Sequence, residues 1–257
     1  MAVRDMHSPF PAPIPPETLL LAYRSGIFPM ADSRDDPEVF WVEPRDRAIL
    51  PLEGFKLSRS LVKVIRQDRF QVSLNGDFPA VIDACSMPRP DHPESWISER
   101  IIASYRALHQ VGHAHSVECW MDGELAGGLY GVAFDRVFCG ESMFSRARDA
   151  SKVALAWLVA LMRRAGYELL DCQFMTDHLA SLGAVEISQA QYLQRLAAAH
   201  GEPRSSLADA YSALVGSGEG AEEGAAEGAV AGCDAAGAGG GAPSPGKLIA
   251  QSLTQTS

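Results

Sequence analysis

The stretch AHSVECWMDGELAGGLYGVAFDRVFCGESMF, residues 114–144, predicts three consecutive β-strands. The dipeptide Asp122-Gly123 is a strong hairpin-turn signal between the first two strands. An amphipathic helix over residues 97–112 precedes the strands, and a long helix (149–167) and a buried strand (168–174) follow them. The order helix, three antiparallel strands, helix, strand predicts an α+β fold. The same order forms the core of acetyltransferase-like folds.

Residues before this core predict a smaller set of elements. A short helix begins after Pro15 and Pro16 and ends at Gly26. Short strands (39–44, 48–52, 69–75) and two helices (56–67, 78–86) complete this part. The segment MPRPDHPE, residues 87–94, predicts an extended connector because it holds three prolines.

The two ends of the chain predict disorder. Gly and Ala dominate residues 216–246 without apolar periodicity, so burial cannot offset the entropy of ordering. We therefore expect a flexible N-terminus (1–14), a small N-terminal domain (15–90), a larger domain (91–202) and a disordered tail (203–257). We also expect the tail to have no part in catalysis.

Composition favours a globular protein of the cytoplasm. The 257 residues are 47% hydrophobic and 21% charged, and no apolar run is long enough to span a bilayer. The N-terminus lacks the pattern of a secretory signal. Five scattered cysteines without a CxxC pair argue against a disulfide framework and against a zinc site.

A basic stripe stands out in a chain whose formal net charge is −10. Four cations share one face of the predicted helix at spacing i, i+3, i+7 and i+10: Lys56, Arg59, Lys63 and Arg66. Such a stripe suits a phosphate backbone, and it equally suits the solvated face of an ordinary surface helix. Trp96 likewise suits either base stacking or plain core packing.

Polar residues interrupt two of the predicted apolar strands. Asp171 and Gln173 are i and i+2 on a strand, so both project from one face, where they can hold an amine, polarise a carbonyl or cap a neighbouring helix. His178, shortly after them, is a possible base or a structural residue. Alternation also puts Glu141 and Met143 on one strand face. The loop SRARDASK (145–152) contains no glycine, which argues against a coenzyme A pyrophosphate cradle.

Long, ordered motifs resemble the leucyl/phenylalanyl-tRNA–protein transferase family over about residues 15–200. The matching segments are AYRSGIFPM (22–30), FKLSRSL (55–61), SWI (95–97), GHAHSVECW (112–120), GELAGGLYGV (123–132), FCGESMFS (138–145), ASKVAL (150–155) and LLDCQFMTDHLASLGA (169–184), the last followed by VEI.

The resemblance implies transfer of leucine, phenylalanine or sometimes methionine from tRNA to the N-terminus of a protein that starts with Arg or Lys. The product is a destabilising N-terminus read by the bacterial N-degron machinery. It also implies a small N-terminal α/β domain joined to an acetyltransferase-like (GNAT-like) domain. No cofactor or metal is expected, because an aminoacyl ester is already activated. Nothing in the chain demands more than a monomer.

The resemblance also implies roles for individual residues. Asp171 and Gln173 are expected at the catalytic centre, where they orient the incoming amine and either deprotonate it or only position it, because an unperturbed Asp is a poor base. Glu141 is expected to bind the ammonium group of the donor. Five residues are expected to line the pocket for the donor side chain: Leu129, Met143, Leu158, Met162 and Leu170. Contacts to the terminal adenosine and acceptor end are expected from Trp96, Tyr23 and Trp41, and contacts to the tRNA backbone from Arg59, Lys63, Arg66 and Lys56.

The chain departs from the family pattern at two positions. Val42 stands where relatives commonly carry a second aromatic, and Met30 stands where an aromatic often follows GIFP. Two other functions stay open from the sequence. One is an acyl-CoA-dependent N-acetyltransferase on the same fold, and the other is a noncatalytic RNA-binding module that uses the basic helix and Trp96.

Overall fold

The computed structural model describes residues 12–88, 95–219 and 243–254 of the chain. Over these residues the helices are α1 (Pro16–Arg24), α2 (Arg59–Arg66), α3 (Phe78–Ser86), α4 (Glu99–Gln110), α5 (Ala150–Ala165), α6 (Asp177–Ser181), α7 (Gln189–Ala198), α8 (Leu207–Glu219) and α9 (Pro245–Thr254). The strands are β1 (Phe28–Met30), β2 (Phe40–Val42), β3 (Asp46–Ile49), β4 (Gln71–Leu74), β5 (Ala114–Met121), β6 (Glu124–Phe134), β7 (Val137–Ser145), β8 (Leu169–Gln173) and β9 (Val185–Ser188).

A seven-stranded mixed sheet organises the chain, with strand order β4-β5-β6-β7-β8-β3-β9. The hairpin strands β5, β6 and β7 are antiparallel at its centre, and β7 pairs with β8 in parallel. The helix and strand order predicted for residues 97–174 is therefore confirmed, and the fold is a mixed α/β architecture.

Helices cover both faces of this sheet. One hydrophobic cluster contains residues of α2, α5, α8 and α9, and the other contains residues of α1, α3, α4 and α7. The long helix α5 is buried along most of its length because its apolar residues recur on every side. Its end at Gly166, with φ of 81°, uses the left-handed conformation that glycine adopts without strain.

The predicted division at residue 90 needs one correction. Strand β4 pairs with β5, and β3 pairs with β8 and β9, so strands from both sides of residue 90 belong to one sheet. The reason is that β3 lies beside β8 and buries Ala48 and Ile49 there. Residues 89–94 of the predicted connector lie outside the described residues.

The disorder predicted for residues 203–257 is wrong for α8 and α9. Their apolar residues are spaced at helical intervals and pack in the cluster around α5: Leu207, Ala210, Leu214, Ile249, Ala250 and Leu253. Residues 220–242 and 255–257 lie outside the described part of the chain. The flexible start predicted for residues 1–14 falls mostly on undescribed residues, but Ile14 is buried and its N–H donates to Ser104 Oγ at 2.9 Å.

Candidate active site

A cavity opens where the parallel strands β7 and β8 part. Their ladder joins three residue pairs and ends at Cys139 and Asp171. Beyond that point lies a cavity of about 850 Å³, lined by the end of β7, by β8 and by α5 and α6. Its walls are mainly apolar, and polar atoms come from Glu141, Gln173, Arg146 and His178, among others. A space of this size and composition suits a small ligand that is apolar with one polar end.

A β-bulge places Glu141. The β6–β7 register shifts between Tyr130 and Gly131, which pair with Ser142 and Gly140, so Glu141 is the extra residue of the bulged strand. The predicted shared face of Glu141 and Met143 is therefore wrong. Glu141 points to the tyrosines of the α1–α4 side, whereas Met143 packs with the α5 cluster. Both nevertheless line the cavity, because it spans the gap between the strands.

The Glu141 carboxylate is held by three neutral groups. Tyr23 Oη donates to Oε1 at 2.7 Å, Tyr105 Oη donates to Oε2 at 3.0 Å, and Gln173 Nε2 donates to Oε1 at 2.9 Å. The two tyrosine oxygens also lie within hydrogen-bonding distance of each other, but each hydroxyl has one proton, which it donates to Glu141. Burial raises the pKa of Glu141 from 4.5 to about 7, although the tyrosine hydrogen bonds work in the opposite direction. A cation in the cavity would favour the ionised form.

Asp171 has the opposite environment. Arg47 forms a bidentate pair with it, Nε to Oδ1 at 2.8 Å and Nη2 to Oδ2 at 2.6 Å, and both side chains are fully buried. Tyr192 Oη donates to Oδ2 at 3.1 Å. Arg47 itself lies over the rings of Phe28 and Tyr192. The carboxylate is thus saturated by donors, and Asp171 does not line the cavity.

Gln173 connects the two carboxylates. Its backbone N–H donates to Asp171 Oδ1 at 2.9 Å, and its φ of 60° is left-handed. An aspartate that bonds the backbone two residues on can hold a turn of this kind. The turn ends β8 and directs the Gln173 side chain to Glu141. The predicted shared face of Asp171 and Gln173 agrees with this arrangement, since Leu170 and Cys172 pack in the opposite cluster.

The structure brings most, but not all, of the predicted pocket together. Leu129, Met143, Leu158 and Leu170 line the cavity with Trp96 and Met30. Met162 is fully buried and does not line it, because it lies one helical turn further along α5. Trp41, on β2, is 42% exposed and also lies outside the cavity lining. Tyr23 is 1% exposed and stands behind Glu141, so in this conformation it is not available for stacking on adenosine.

The sequence patterns did not indicate three side chains that hold the two carboxylates: Arg47, Tyr105 and Tyr192. Arg47 follows Asp46 on β3, and only the need of a buried Asp171 for a cation would have indicated it. Tyr105 shares the apolar face of α4 with Ile101 and Leu108, so its spacing indicates core packing alone. Tyr192 and Leu196 are the buried residues of α7, so the spacing of Tyr192 also indicates core packing alone.

The basic helix α2 faces solvent beside the cavity. Leu61 and Ile65 are its buried residues, and Lys56, Arg59, Lys63 and Arg66 are exposed. Within the described ranges these four cations make no ion pair. The Lys56 N–H donates to the Leu182 carbonyl at 2.8 Å, which ties the start of the stripe to the segment after α6. His178 and Leu179 of α6 line the cavity, so stripe and cavity are neighbours.

His178 is a further titratable residue at this cavity. Burial lowers its pKa, and so does the charge of Lys152 nearby. Its Nε2 is buried without a hydrogen-bond partner among the described residues.

None of the helices in the described ranges is long and apolar enough to span a membrane.

An apolar cavity that ends on a buried carboxylate with neutral donors suits an apolar ligand that carries an ammonium group. Two family models match the chain: Leucyl/phenylalanyl-tRNA protein transferase over residues 49–197 and its N-terminal domain over residues 13–45. The chain therefore belongs to the leucyl/phenylalanyl-tRNA–protein transferase family.

Curated relatives support this assignment. A leucyl/phenylalanyl-tRNA–protein transferase of Novosphingobium aromaticivorans is 64% identical, with 96% of this chain and 98% of the relative covered. Relatives with the same name from Zymomonas mobilis and Rhodopseudomonas palustris are 59% and 57% identical over 72% of this chain, and 69% and 83% of their own lengths are covered. The C-terminal domain of a lysylphosphatidylglycerol synthetase from Agrobacterium fabrum aligns with 14% identity and a TM-score of 0.34 over 79% of this chain and 69% of that one, which is too low to identify a shared fold.

Proposed function

We propose that the chain moves leucine, phenylalanine and, to a lesser extent, methionine from aminoacyl-tRNA to proteins with N-terminal Arg or Lys, creating an N-degron. The observation that carries this proposal is Glu141, a buried carboxylate at an apolar cavity whose three hydrogen-bond donors are all neutral. Burial of a carboxylate without a cation is costly, so an ammonium group of the donor is its natural partner.

The apolar wall fits the side chain of such a donor. Leu129, Leu158 and Leu170 form a fixed surface, and Met143 adds a flexible thioether that adapts to leucine, phenylalanine or methionine. The sheet, with β7 and β8 parting beside a long helix, supports an acetyltransferase-like architecture in which the acyl donor enters between the parted strands.

Transfer forms one bond and breaks one. The α-amine nitrogen of the acceptor attacks the ester carbonyl carbon, the bond from that carbon to the tRNA ribose oxygen breaks, and the proton released by nitrogen balances the departing oxygen. Gln173 donates from Nε2 to Glu141, so its Oε1 is left to accept a hydrogen bond from the attacking amine. Asp171 takes the positioning part in this proposal, because its carboxylate is saturated and holds the Gln173 turn.

The tRNA lies along the basic helix in this proposal. Arg59, Lys63 and Arg66, with Lys56 assisting, neutralise backbone phosphates of the acceptor stem, and the neighbouring cavity takes its end. Trp96 at the cavity supplies a stacking surface for the terminal adenosine, with Trp41 nearby on the chain's exposed β2. All these groups come from one chain, so a monomer acting in the cytoplasm suffices.

The test is a transfer assay. Labelled Phe-tRNA is incubated with the chain and a model protein that begins with Arg, and the expected result is label in the protein. The same protein with N-terminal Met is the control. Absence of label from the Arg protein would overturn the proposal, and transfer from labelled acetyl-CoA instead would establish the acetyltransferase alternative. Binding of charged and uncharged tRNA with equal affinity and no transfer would establish the RNA-binding module.

A further inference from the structure

The C-terminal helix α9 packs against the inner side of the basic helix α2. Ile249, Ala250 and Leu253 of α9 are 0%, 0% and 5% exposed. They belong to the same hydrophobic cluster as Leu61 and Ile65, which are the buried residues of α2. The family models end at residue 197, so α9 lies outside the segments that define the family.

Both ends of α9 are fixed by side chains from other elements. Asp68, just beyond α2, accepts the Gly246 N–H at 2.7 Å and also a hydrogen bond from Ser244 Oγ. A carboxylate at this place satisfies a free N–H of the first turn and suits the positive end of the helix dipole. At the other end, Arg163 of α5 donates from Nη1 to the Ser252 carbonyl at 3.3 Å. This cation suits the negative end in the same way.

Gly246 is the point of closest approach between α9 and α2. A Cβ at this position would lie 2.1 Å from the Ile65 carbonyl oxygen and 2.4 Å from Asp68 Oδ1. A backbone oxygen cannot move aside as a flexible side chain can, so any residue other than glycine would push α9 away from α2. The place where α9 packs on α2, called here the seat, therefore depends on Gly246 and on Asp68.

We propose that α9 is a brace that holds the cationic face of α2 in place for tRNA, and that Asp68 and Gly246 are its positioning residues. The inference rests on the proposed contact between α2 and the tRNA backbone. Helix α2 is only eight residues long, and an isolated helix of that length is not stable in water, so tertiary packing must order it. Release of α9 removes part of that packing.

The experiment uses the full chain with Gly246→Ala, which blocks the seat without deleting any residue. Gly216→Ala is the matched control, because Gly216 also lies in a C-terminal helix and nothing stands within 4 Å of its added Cβ. Hydrogen exchange at the α2 amides reports the brace directly. The KM for Phe-tRNA and the kcat report its consequence, together with the dependence of tRNA affinity on salt.

The expected result for Gly246→Ala is faster exchange at α2 and a higher KM for Phe-tRNA, with kcat at saturation unchanged. The salt dependence of tRNA affinity should weaken by about one phosphate contact. Gly216→Ala should change none of these. Unchanged exchange at α2 in Gly246→Ala would overturn the inference.

Asp68→Ala separates the brace from simple charge. Loss of a negative charge beside the basic stripe should tighten tRNA binding if electrostatics alone mattered. The brace predicts weaker binding, because alanine has no side-chain oxygen to accept hydrogen bonds from the Gly246 N–H and the Ser244 hydroxyl. Tighter binding would therefore overturn the inference.

Lys63→Glu tests the proposed function separately. If Lys63→Glu raises the KM but Gly246→Ala does not, the brace is refuted and the tRNA contact stands. If Lys63→Glu leaves the KM unchanged, the proposed tRNA contact fails, and the inference fails with it.

Discussion

Glu141 and Asp171 are buried carboxylates on neighbouring strands, and their surroundings are opposite. Asp171 meets the guanidinium of Arg47 in a fully buried bidentate pair, away from the cavity. Glu141 meets two tyrosine hydroxyls and one amide, and it lines the cavity. The chain therefore pairs one acid with a cation, whereas the hydrogen-bond donors to the other are neutral, which is what the proposed ammonium site requires. Position alone, two acids in apolar strands, would not have separated a structural charge from a binding charge.

A third buried acid, Glu118, shows why the cavity matters to this comparison. It also has only neutral donors, namely Ser73, Ser116 and the N–H groups of Gly76 and Asp77. Those two N–H groups lie just before α3, so the positive end of that helix favours the charge. Glu118 does not line the cavity. Neutral donors thus indicate a binding site only where the acid also faces open space.

The largest expected effect is on stability, from Arg47→Met. This change leaves Asp171 buried without a cation, which costs about 3–5 kcal/mol of unfolding free energy. Urea denaturation measures it. Arg106→Met is the control, because its ion pair with Asp83 is exposed and should be worth about 1 kcal/mol or less. The double variant Arg47→Met/Asp171→Leu should recover part of the loss. Equal destabilisation by Arg47→Met and Arg106→Met would contradict the assignment of Asp171 as a structural charge.

The next effect is on substrate affinity, from Glu141→Gln. An amide keeps the shape but cannot pair with an ammonium group, so the KM for Phe-tRNA should rise roughly 10- to 100-fold. Steady-state kinetics with Phe-tRNA as the varied substrate measure it, and circular dichroism should show an intact fold. Glu118→Gln is the matched control and should leave the KM unchanged. A similar rise in KM for both variants would mean that Glu141 has no special relation to the donor.

A graded effect on stability is expected with pH. The folded state raises the pKa of Glu141 from 4.5 to about 7, so between these values it holds a proton that the unfolded chain has released. The contribution of Glu141 to stability therefore falls as pH rises through this window, by roughly 3 kcal/mol in total. The difference in unfolding free energy between the native chain and Glu141→Gln, measured from pH 5 to pH 8, isolates it.

The same titration should appear in binding with the opposite sign. Only the ionised carboxylate pairs with an ammonium group, so the KM for Phe-tRNA should fall as pH rises from 6 to 7 in the native chain. Glu141→Gln should lack that dependence. A flat difference curve for stability, or the same pH dependence of KM in both proteins, would contradict a raised pKa at Glu141.

The difference between the two acids marks what the sequence can predict. Period-2 alternation correctly put Asp171 and Gln173 on one face, although the β3–β8 register also shifts at Cys172. The same rule failed at Glu141, because one extra residue in β7 shifts the phase, and nothing in the letters FCGESMFS requires a bulge. Arg47 and Tyr105 are long-range partners from other elements, which local periodicity cannot indicate.

The C-terminal helix α9 likewise depends on long-range contacts that local sequence patterns do not indicate. Composition correctly identifies a Gly/Ala-rich segment, but a helix as short as α9 is stable only because α2 and α5 supply an apolar seat. Such a seat exists only in the folded chain. The helices and strands of residues 97–174, by contrast, follow from strong local signals such as Asp122-Gly123 and the apolar pattern of α5.

The smallest expected effect concerns single donors to Glu141. Tyr105→Phe removes one neutral hydrogen bond, so it should cost about 1 kcal/mol of stability and raise the pKa of Glu141 further. Tyr130→Phe is a close control. Tyr130 is equally buried, its ring meets that of Tyr105 edge to face, and its hydroxyl has no partner among the described residues.

Measured side by side, Tyr105→Phe should shift the pH dependence of KM to higher pH, whereas Tyr130→Phe should leave it unchanged. The shift follows because Tyr105 stabilises the ionised form of Glu141, the form that binds an ammonium group. If both variants lowered stability but neither moved the pH profile, the tyrosines would serve only to pack α4 against the sheet. If Tyr105→Phe alone moved the pH profile, the neutral donors would keep Glu141 ready to pair with the ammonium group of a substrate. Asp171, by contrast, already pairs with Arg47.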